Sequence, residues 1–334
     1  MSRVAAPRLV SGGGARRVSV VVPTRDRDSL LKEALASVRA NEEPSLDLEI
    51  LVIDNGSGES TRSIADELGA RYLRCATPGV SAARNRGVAA ASGEYVAFLD
   101  DDDVWMPRHL CQLVEWLAGR PEFGAVLGQV QNTDFELRRP GLPWPVSLPN
   151  DGRIFAQLLR VQPQLGATVI RKSVLDQVGQ FDETLLGDED WDLHMRLAID
   201  HLVGFVPVPS VLFRRRPSGS WDDLHWRQFG PFRRVFWRNV RRAGKEAPPL
   251  RYVLRTYLHH LGAYHSELLN NAKAHARAGR GRAARLALVR SVVASPLHAT
   301  VSMARDPEAR LVAAASIRPR LGRGRGGRGS EPVR

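Results

Sequence analysis

The spacing of apolar positions changes along this chain and divides it into regions. From Val18 to about Gly119, short β-branched runs alternate with amphipathic stretches. Val18 to Val22 predicts a buried strand ended by Pro23, and Leu48 to Ile53 predicts a second. A short strand follows near Tyr72, and a fourth covers Tyr95 to Leu99. Between them Leu30, Leu31, Ala34, Leu35 and Val38 form one helical face that Asp28 can cap. Thr61 to Leu68 and Ser81 to Ala91 also read as helices, as does Pro107 to Gly119 with proline in its first turn. Such alternation implies an α/β fold with a mainly parallel central sheet covered on both faces. Ligands then bind at the carboxyl ends of the strands. Residues 125 to 213 are more mixed, and Pro140 to Pro149 reads as a loop.

Past Phe213 the strand pattern stops. Leu224 to Arg242, Leu250 to Arg277 and Arg282 to Val293 predict helices, so the α/β domain is followed by an α-helical C-terminal extension. The expected boundaries are a disordered basic leader at 1–17, the α/β domain at 18–219, a basic helical extension at 220–320, and a disordered Gly/Arg tail at 321–334.

Charge sharpens this division. The formal net charge is +12, but residues 1–214 hold 23 Lys and Arg against 29 Asp and Glu. Residues 215–334 hold 25 against 7. The excess positive charge therefore lies in the C-terminal third, where it suits an anionic membrane face, a polyanionic acceptor or nucleic acid. Two cysteines, Cys75 and Cys111, cannot build a disulfide framework and point to a reducing compartment. No apolar run approaches the roughly 20 residues that span a bilayer, and the leader lacks an apolar core segment. The expectation is a cytoplasmic protein with peripheral contact at the inner face of the membrane.

The chemistry gathers at strand ends. Four consecutive aspartates, Asp100 to Asp103, close the Tyr95 to Leu99 strand, and their mutual repulsion is useful if a divalent cation and phosphates sit there. A solvated turn or a helix cap would be the plainer explanation. The first strand ends in Pro23-Thr-Arg-Asp26 and the second in Asp54-Asn-Gly-Ser57. In a doubly wound sheet all three ends emerge on one edge. That edge would hold turn backbone, an acid for a base or ribose, and an acidic metal site, which are the parts of a nucleoside-diphosphate site.

Five blocks in order extend the pattern: VSVVVPTRDR, LEILVIDNGSGE, GVSAARNRGVAAASGEYVAFLDDDDVWMP, VIRKSVLDQVGQFDETL and GDEDWDLHMRL. With them the stretch from about Val18 to Gly219 resembles the family 2 glycosyltransferases, inverting enzymes of the GT-A fold that use nucleotide-sugar donors. The resemblance implies a site block by block. Pro23, Thr24, Arg25 and Asp26 would lie against the nucleoside, and Asp54 with Asn55 against base or ribose. Many relatives have an acid at the place of Asn55, which leaves the base open among UDP-, dTDP- and GDP-sugars. Arg84 and Asn85 would approach the donor sugar or diphosphate. The Asp-x-Asp metal motif falls on Asp100 and Asp102, with Asp101 between them, and Mg²⁺ or Mn²⁺ is the expected ion. Asp190 would be the general base, with Glu189 and Trp191 at the acceptor. Acids opening a helix also serve as ordinary dipole partners, so capping is the plainer reading of that segment. Phe181 and Asp182 read as structural. Where many relatives carry a histidine, Arg216 stands nearest and would bind the diphosphate directly.

Some features lie outside that pattern. His259, His260 and His265 have no cysteines or acids clustered beside them, which argues against zinc. Trp221, Trp226, Phe229, Phe232, Phe236 and Trp237 alternate with arginines. This segment could lie on an anionic bilayer or bind a lipid-diphosphate acceptor, or its aromatics could pack onto the catalytic domain. Two rival functions are a nucleotidyltransferase of related fold and a basic polyanion- or nucleic-acid-binding protein. The first normally has a Gly-rich loop after strand one, and Pro23 to Asp28 contains no glycine. The second explains neither the aspartates nor the acidic N-terminal balance, so nucleic acid is not an expected partner. The expected acceptor is a saccharide or lipid-linked saccharide in cell-surface polysaccharide or glycolipid synthesis.

Overall fold

The structure is a computed structural model that describes residues 14–215 and 224–317 apart from 57 and 139. The described residues fall into two compact units. One lies within Met1–Pro217 and Gly230–Tyr257, the other within Ser218–Phe229 and Leu258–Arg334. Arg216, most of the leader and the Gly/Arg tail lie outside the described residues.

The first unit is built on β1 (Arg16–Thr24), α1 (Asp28–Arg39), β2 (Leu46–Asp54), α2 (Glu59–Glu67), β3 (Arg71–Arg74), α3 (Val80–Ala90) and β4 (Tyr95–Phe98). It continues with β5 (Val104–Trp105), α4 (His109–Ala118), β6 (Phe123–Thr133), β7 (Pro143–Trp144), α5 (Phe155–Leu158), β8 (Thr168–Arg171), α6 (Lys172–Val178), α7 (Glu189–Asp200) and β9 (Leu202–Arg214). Five helices follow: α8 (Leu224–Ala243), α9 (Leu250–Arg277), α10 (Gly281–Ala294), α11 (Pro296–Arg305) and α12 (Pro307–Ile317).

The strands form one sheet in the order β3-β2-β1-β4-β8-β6-β9-β5, with β7 paired to β6. The expected parallel arrangement holds from β3 through β4. Beyond β4 the sheet is mixed: β8 runs antiparallel to both β4 and β6, while β9 runs parallel to β6. Alternation along β1 explains how both faces are covered. Val18, Val20 and Val22 join a core with Leu31, Leu35 and Val38 of α1 and Leu113 and Leu117 of α4. Val21 points the other way, against α3, where a side chain on Gly87 would fall 2.3 Å from it. Only glycine lets α3 lie that close to the sheet.

The helical region does not begin as a separate body. The C-terminal part of α8 belongs to the first unit, where Phe232 and Phe236 are fully buried. Phe232 stacks on Trp191 with ring centroids 5.8 Å apart. The buried carboxylate of Asp192 accepts hydrogen bonds from Arg196 at 2.8 Å and Asn239 at 2.8 Å, and pairs with Arg238 at 2.7 Å. These aromatics therefore support α7 from behind and do not face a bilayer.

Candidate active site

Parallel pairing brings the predicted strand ends together. Thr24 lies opposite Asp54 in register, and Leu99 donates its N–H to Val21, so the aspartate run leaves the sheet at the same edge. The Thr24 hydroxyl donates to Asp101 Oδ2 at 2.7 Å. Arg27 Nη1 donates to Asp101 Oδ1 at 2.9 Å and to Asp102 Oδ2 at 3.0 Å. Among the described residues, Arg27 is thus the cation that pairs with both Asp101 and Asp102. Asp26 has φ 54°, and a side chain on Gly56 would fall 2.5 Å from its Oδ1, so the first two strand-end turns pack directly on one another. Arg25 and Asp26 are exposed at this edge, whereas Pro23 and Thr24 are buried.

One guanidinium joins this edge to α7. Arg84, buried at 4% exposure, donates from Nη2 to Asp100 Oδ1 and from Nη1 to Glu189 Oε1, each at 2.7 Å. Burial alone would lower its pKa, but Asp100 and Glu189 outweigh that effect and hold it above the ordinary arginine value. Because Arg84 grips Asp100 and the first residue of α7 together, Asp190 comes within electrostatic reach of Asp100 although 90 residues separate the two along the chain.

Asp190 is partly exposed, and its Oδ1 accepts the N–H of Trp191 at 2.7 Å. Burial and then Glu189 push its pKa up to about 7, with Arg84 pulling the other way. A carboxylate so placed is a far stronger base than a solvated one. Asp188 precedes the helix in the left-handed region at φ 59°, and its Oδ2 is buried with no hydrogen-bond partner. Burial, then Asp190 and Glu189, push it up to about 8.

That value gives a stability prediction with a definite sign. Between an unfolded value near 4 and a folded value near 8 the native state holds a proton that the unfolded chain has lost. Stability therefore falls as pH rises through this window. Asp188→Asn keeps a residue that tolerates positive φ and removes the charge. The variant is expected to be more stable than the parent at pH 8 by about 1–3 kcal/mol and nearly equal to it at pH 4. Thermal denaturation at both pH values checks this; an equal difference at the two would contradict it.

Several expected ligand residues have protein partners instead. Asn55 donates to the carbonyls of Cys75 and Thr77 and accepts from Gly79 N–H, which closes the loop leading into α3. Asn85 braces the 181–183 segment through Phe181 and Glu183. Trp191 is 1% exposed and donates to Leu158 O at 2.6 Å, so it is core and offers no face to a sugar. Trp105 is likewise core, bonded to Gly166 O. Asp54 is fully buried; it accepts from Gly56 N–H, Gly58 N–H and Tyr72 Oη, which makes it the organiser of its loop. Two further functional neighbours were not anticipated, Arg27 and Asp188. Arg27 lay inside a recognised block, but nothing in its spacing showed that it would turn back onto Asp101 and Asp102.

Comparison with known proteins agrees with this fold. Residues 19–179 match the family model described as Glycosyl transferase family 2. The chain is 28% identical to the uncharacterized glycosyltransferase YwdF of Bacillus subtilis over 216 residues, 61% of this chain and 76% of that one. It is 30% identical over 205 residues to the pre-mycofactocin glycosyltransferase of Mycobacterium tuberculosis, covering 58% of this chain and 42% of that one. Among solved structures, S. aureus TarS 1-349 in complex with UDP-GlcNAc superposes with a TM-score of 0.61 at 16% identity, covering 90% of both chains. Mannosyltransferase PcManGT from Pyrobaculum calidifontis, in complex with GDP-Man and Mn²⁺, gives 0.54 at 21% identity, covering 90% of this chain and 80% of that one. The fold is GT-A. Coverage of 90% exceeds what residues 1–219 supply, so the likeness of fold reaches into the helical region where the sequence resemblance had stopped.

Proposed function

We propose, from the premise that this chain carries a family 2 glycosyltransferase domain, that it moves a sugar from a nucleoside-diphosphate sugar to an acceptor hydroxyl with inversion. The carrying observation is the Arg84 bridge, which brings Asp190 within electrostatic reach of Asp100. Two structures of the same fold hold UDP-GlcNAc and GDP-Man, which supports this donor class. The nucleoside would lie against the Pro23 to Asp26 turn and the loop organised by Asp54, with the diphosphate toward Asp100 and Asp102. Asp190 takes the proton of the acceptor hydroxyl as its oxygen bonds to the anomeric carbon. The bond from that carbon to the diphosphate breaks, and the nucleoside diphosphate leaves with the electron pair.

Asp100 and Asp102 are the candidate donors for a hard divalent ion, and among the described residues no group of three or more His, Cys, Asp or Glu side chains is placed to hold one. The side chains of Asp100 and Asp102 are 39% and 21% exposed, against 5% for Asp101, so these two carboxylates would hold Mg²⁺ or Mn²⁺ with oxygens of the donor. When bound, the ion neutralises charge on the departing diphosphate. Without it, Arg27 balances Asp101 and Asp102. Arg27→Gln is therefore expected to lower the melting temperature in EDTA by about 2–4 °C, corresponding to about 1 kcal/mol, and Mn²⁺ should recover most of the loss. An equal loss with and without Mn²⁺ would contradict this role.

We assign the reaction to cell-surface polysaccharide or glycolipid assembly, on a saccharide or lipid-linked acceptor, at the cytoplasmic face of a membrane. Family membership and the basic C-terminal third support that setting, and the free thiols of Cys75 and Cys111 suit a reducing compartment. The test is a donor screen with purified protein, in which nucleotide sugars are supplied singly and release of nucleoside diphosphate is read with and without Mn²⁺. Release from at least one donor is expected; no release from any donor, with or without a saccharide acceptor, would overturn the proposal.

A further inference from the structure

The second unit has a small core in which Leu269 and Ala272 of α9 meet Ala287 and Leu288 of α10 and Ala309 and Val312 of α12. Helix α10 turns Ala284, Ala287, Leu288, Ser291 and Ala294 inward. At 3.6 residues per turn, the side opposite these carries Arg282, Leu286, Val289 and Val293. Those three aliphatics are 50%, 54% and 57% exposed, and Val292 beside them is 40% exposed. Helix α11 repeats the pattern: Ala299 is buried while Leu297 and Val301 are exposed. A surface helix ordinarily places polar residues on its outward face. Six exposed aliphatics on the outward faces of two successive helices are grouped, not singly scattered. Charge completes the pattern, since residues 281–305 contain four arginines and no aspartate or glutamate.

We propose that the outward faces of α10 and α11 form a peripheral docking surface for an anionic lipid bilayer. The aliphatics enter the boundary between headgroups and acyl chains, and Arg282, Arg285 and Arg305 meet lipid phosphates. The chemistry favours this occupant over others. A second copy of the chain would bring two like-charged, acid-free faces together. Nucleic acid would satisfy the arginines and leave the aliphatics in water. Among the described residues no helix is long and apolar enough to cross a membrane, so the contact is interfacial. Phe232 and Phe236 of α8 are core and form no part of this surface. The inference goes beyond sugar transfer and does not depend on it.

The test uses the full chain without nucleotide sugar, sedimented with vesicles of phosphatidylcholine alone or mixed with phosphatidylglycerol. Binding is expected only to the anionic vesicles and should weaken with added salt. The triple variant Val289→Ser, Val293→Ser, Leu297→Ser should bind about tenfold more weakly or worse. Arg282→Gln with Arg285→Gln should cost about fivefold per arginine and reduce the dependence on salt. Because these side chains face away from the unit's core, circular dichroism and melting temperature should stay at parental values. If the aliphatic variant nonetheless melts early, the arginine variant decides. Failure of the parent to bind anionic vesicles would overturn the proposal, as would parental binding by the arginine variant. So would a parental dimer that the aliphatic variant dissolves into monomers.

Discussion

Asp190→Asn is expected to fold and take up donor like the parent while turning over about 10²–10⁴-fold more slowly. Asparagine keeps the shape and can still accept the N–H of Trp191, so the helix start should survive. What it loses is the oxygen that takes the acceptor's proton. The loss should therefore appear in kcat and not in donor KM. The pH dependence separates a base from a merely structural acid. With the Asp190 pKa near 7, parental kcat/KM should be level above that pH and fall about tenfold per unit below it, because only the ionised carboxylate accepts a proton. The variant's residual rate should lack that limb. A variant with parental turnover, or with the same acid limb, would remove Asp190 from the mechanism.

Arg84→Ala should have the largest effect on stability. It leaves Asp100 and Glu189 together without their shared cation, and breaking a buried pair from one side costs about 3–5 kcal/mol. The sign of the accompanying electrostatic change follows from geometry. Arg84 holds the Asp190 pKa down, so its removal should move any remaining activity to higher pH. Arg84→Lys keeps the charge but lacks the fork that reaches two carboxylates at once, so it should be intermediate in stability and poor in rate. Thermal denaturation and pH–rate profiles of both variants check this. An alanine variant as stable as the parent would show that the bridge does not hold the site together.

The parts of this fold legible in the sequence were those with local periodicity. Apart from the two-residue β5, the strands and helices up to α4 announce themselves because β-branched runs and amphipathic faces are local patterns. The long helices α8 to α10 were legible for the same reason. The antiparallel return of β8 between β4 and β6 was not, because its four residues, Thr168 to Arg171, of which three are buried, carry no period that reveals pairing direction. The site was legible as a set of acids but not as an arrangement. Asp100, Asp102, Glu189 and Asp190 stood out as charges that need a reason. Whether Arg84 faced water or spanned two carboxylates depended on burial, which residue type alone does not reveal. Asn55, Asn85 and Trp191 were expected at ligands because motif position suggested it; their short polar groups instead satisfy loop backbone, or in Trp191 a core carbonyl. The aromatics of α8 admitted two readings, and for Phe232 and Phe236 their packing on Trp191 selects one.

The most direct test of base-assisted displacement is the configuration of the sugar at the moment it is released. Once the donor screen identifies a substrate, time-resolved proton NMR of transfer to water or acceptor reads the anomeric coupling before mutarotation. The first product is expected to carry the configuration opposite to that of the donor, and Asp190→Asn should slow its appearance by about the same 10²–10⁴-fold as it slows turnover. A first product with the donor's own configuration would contradict a single displacement with Asp190 as the base.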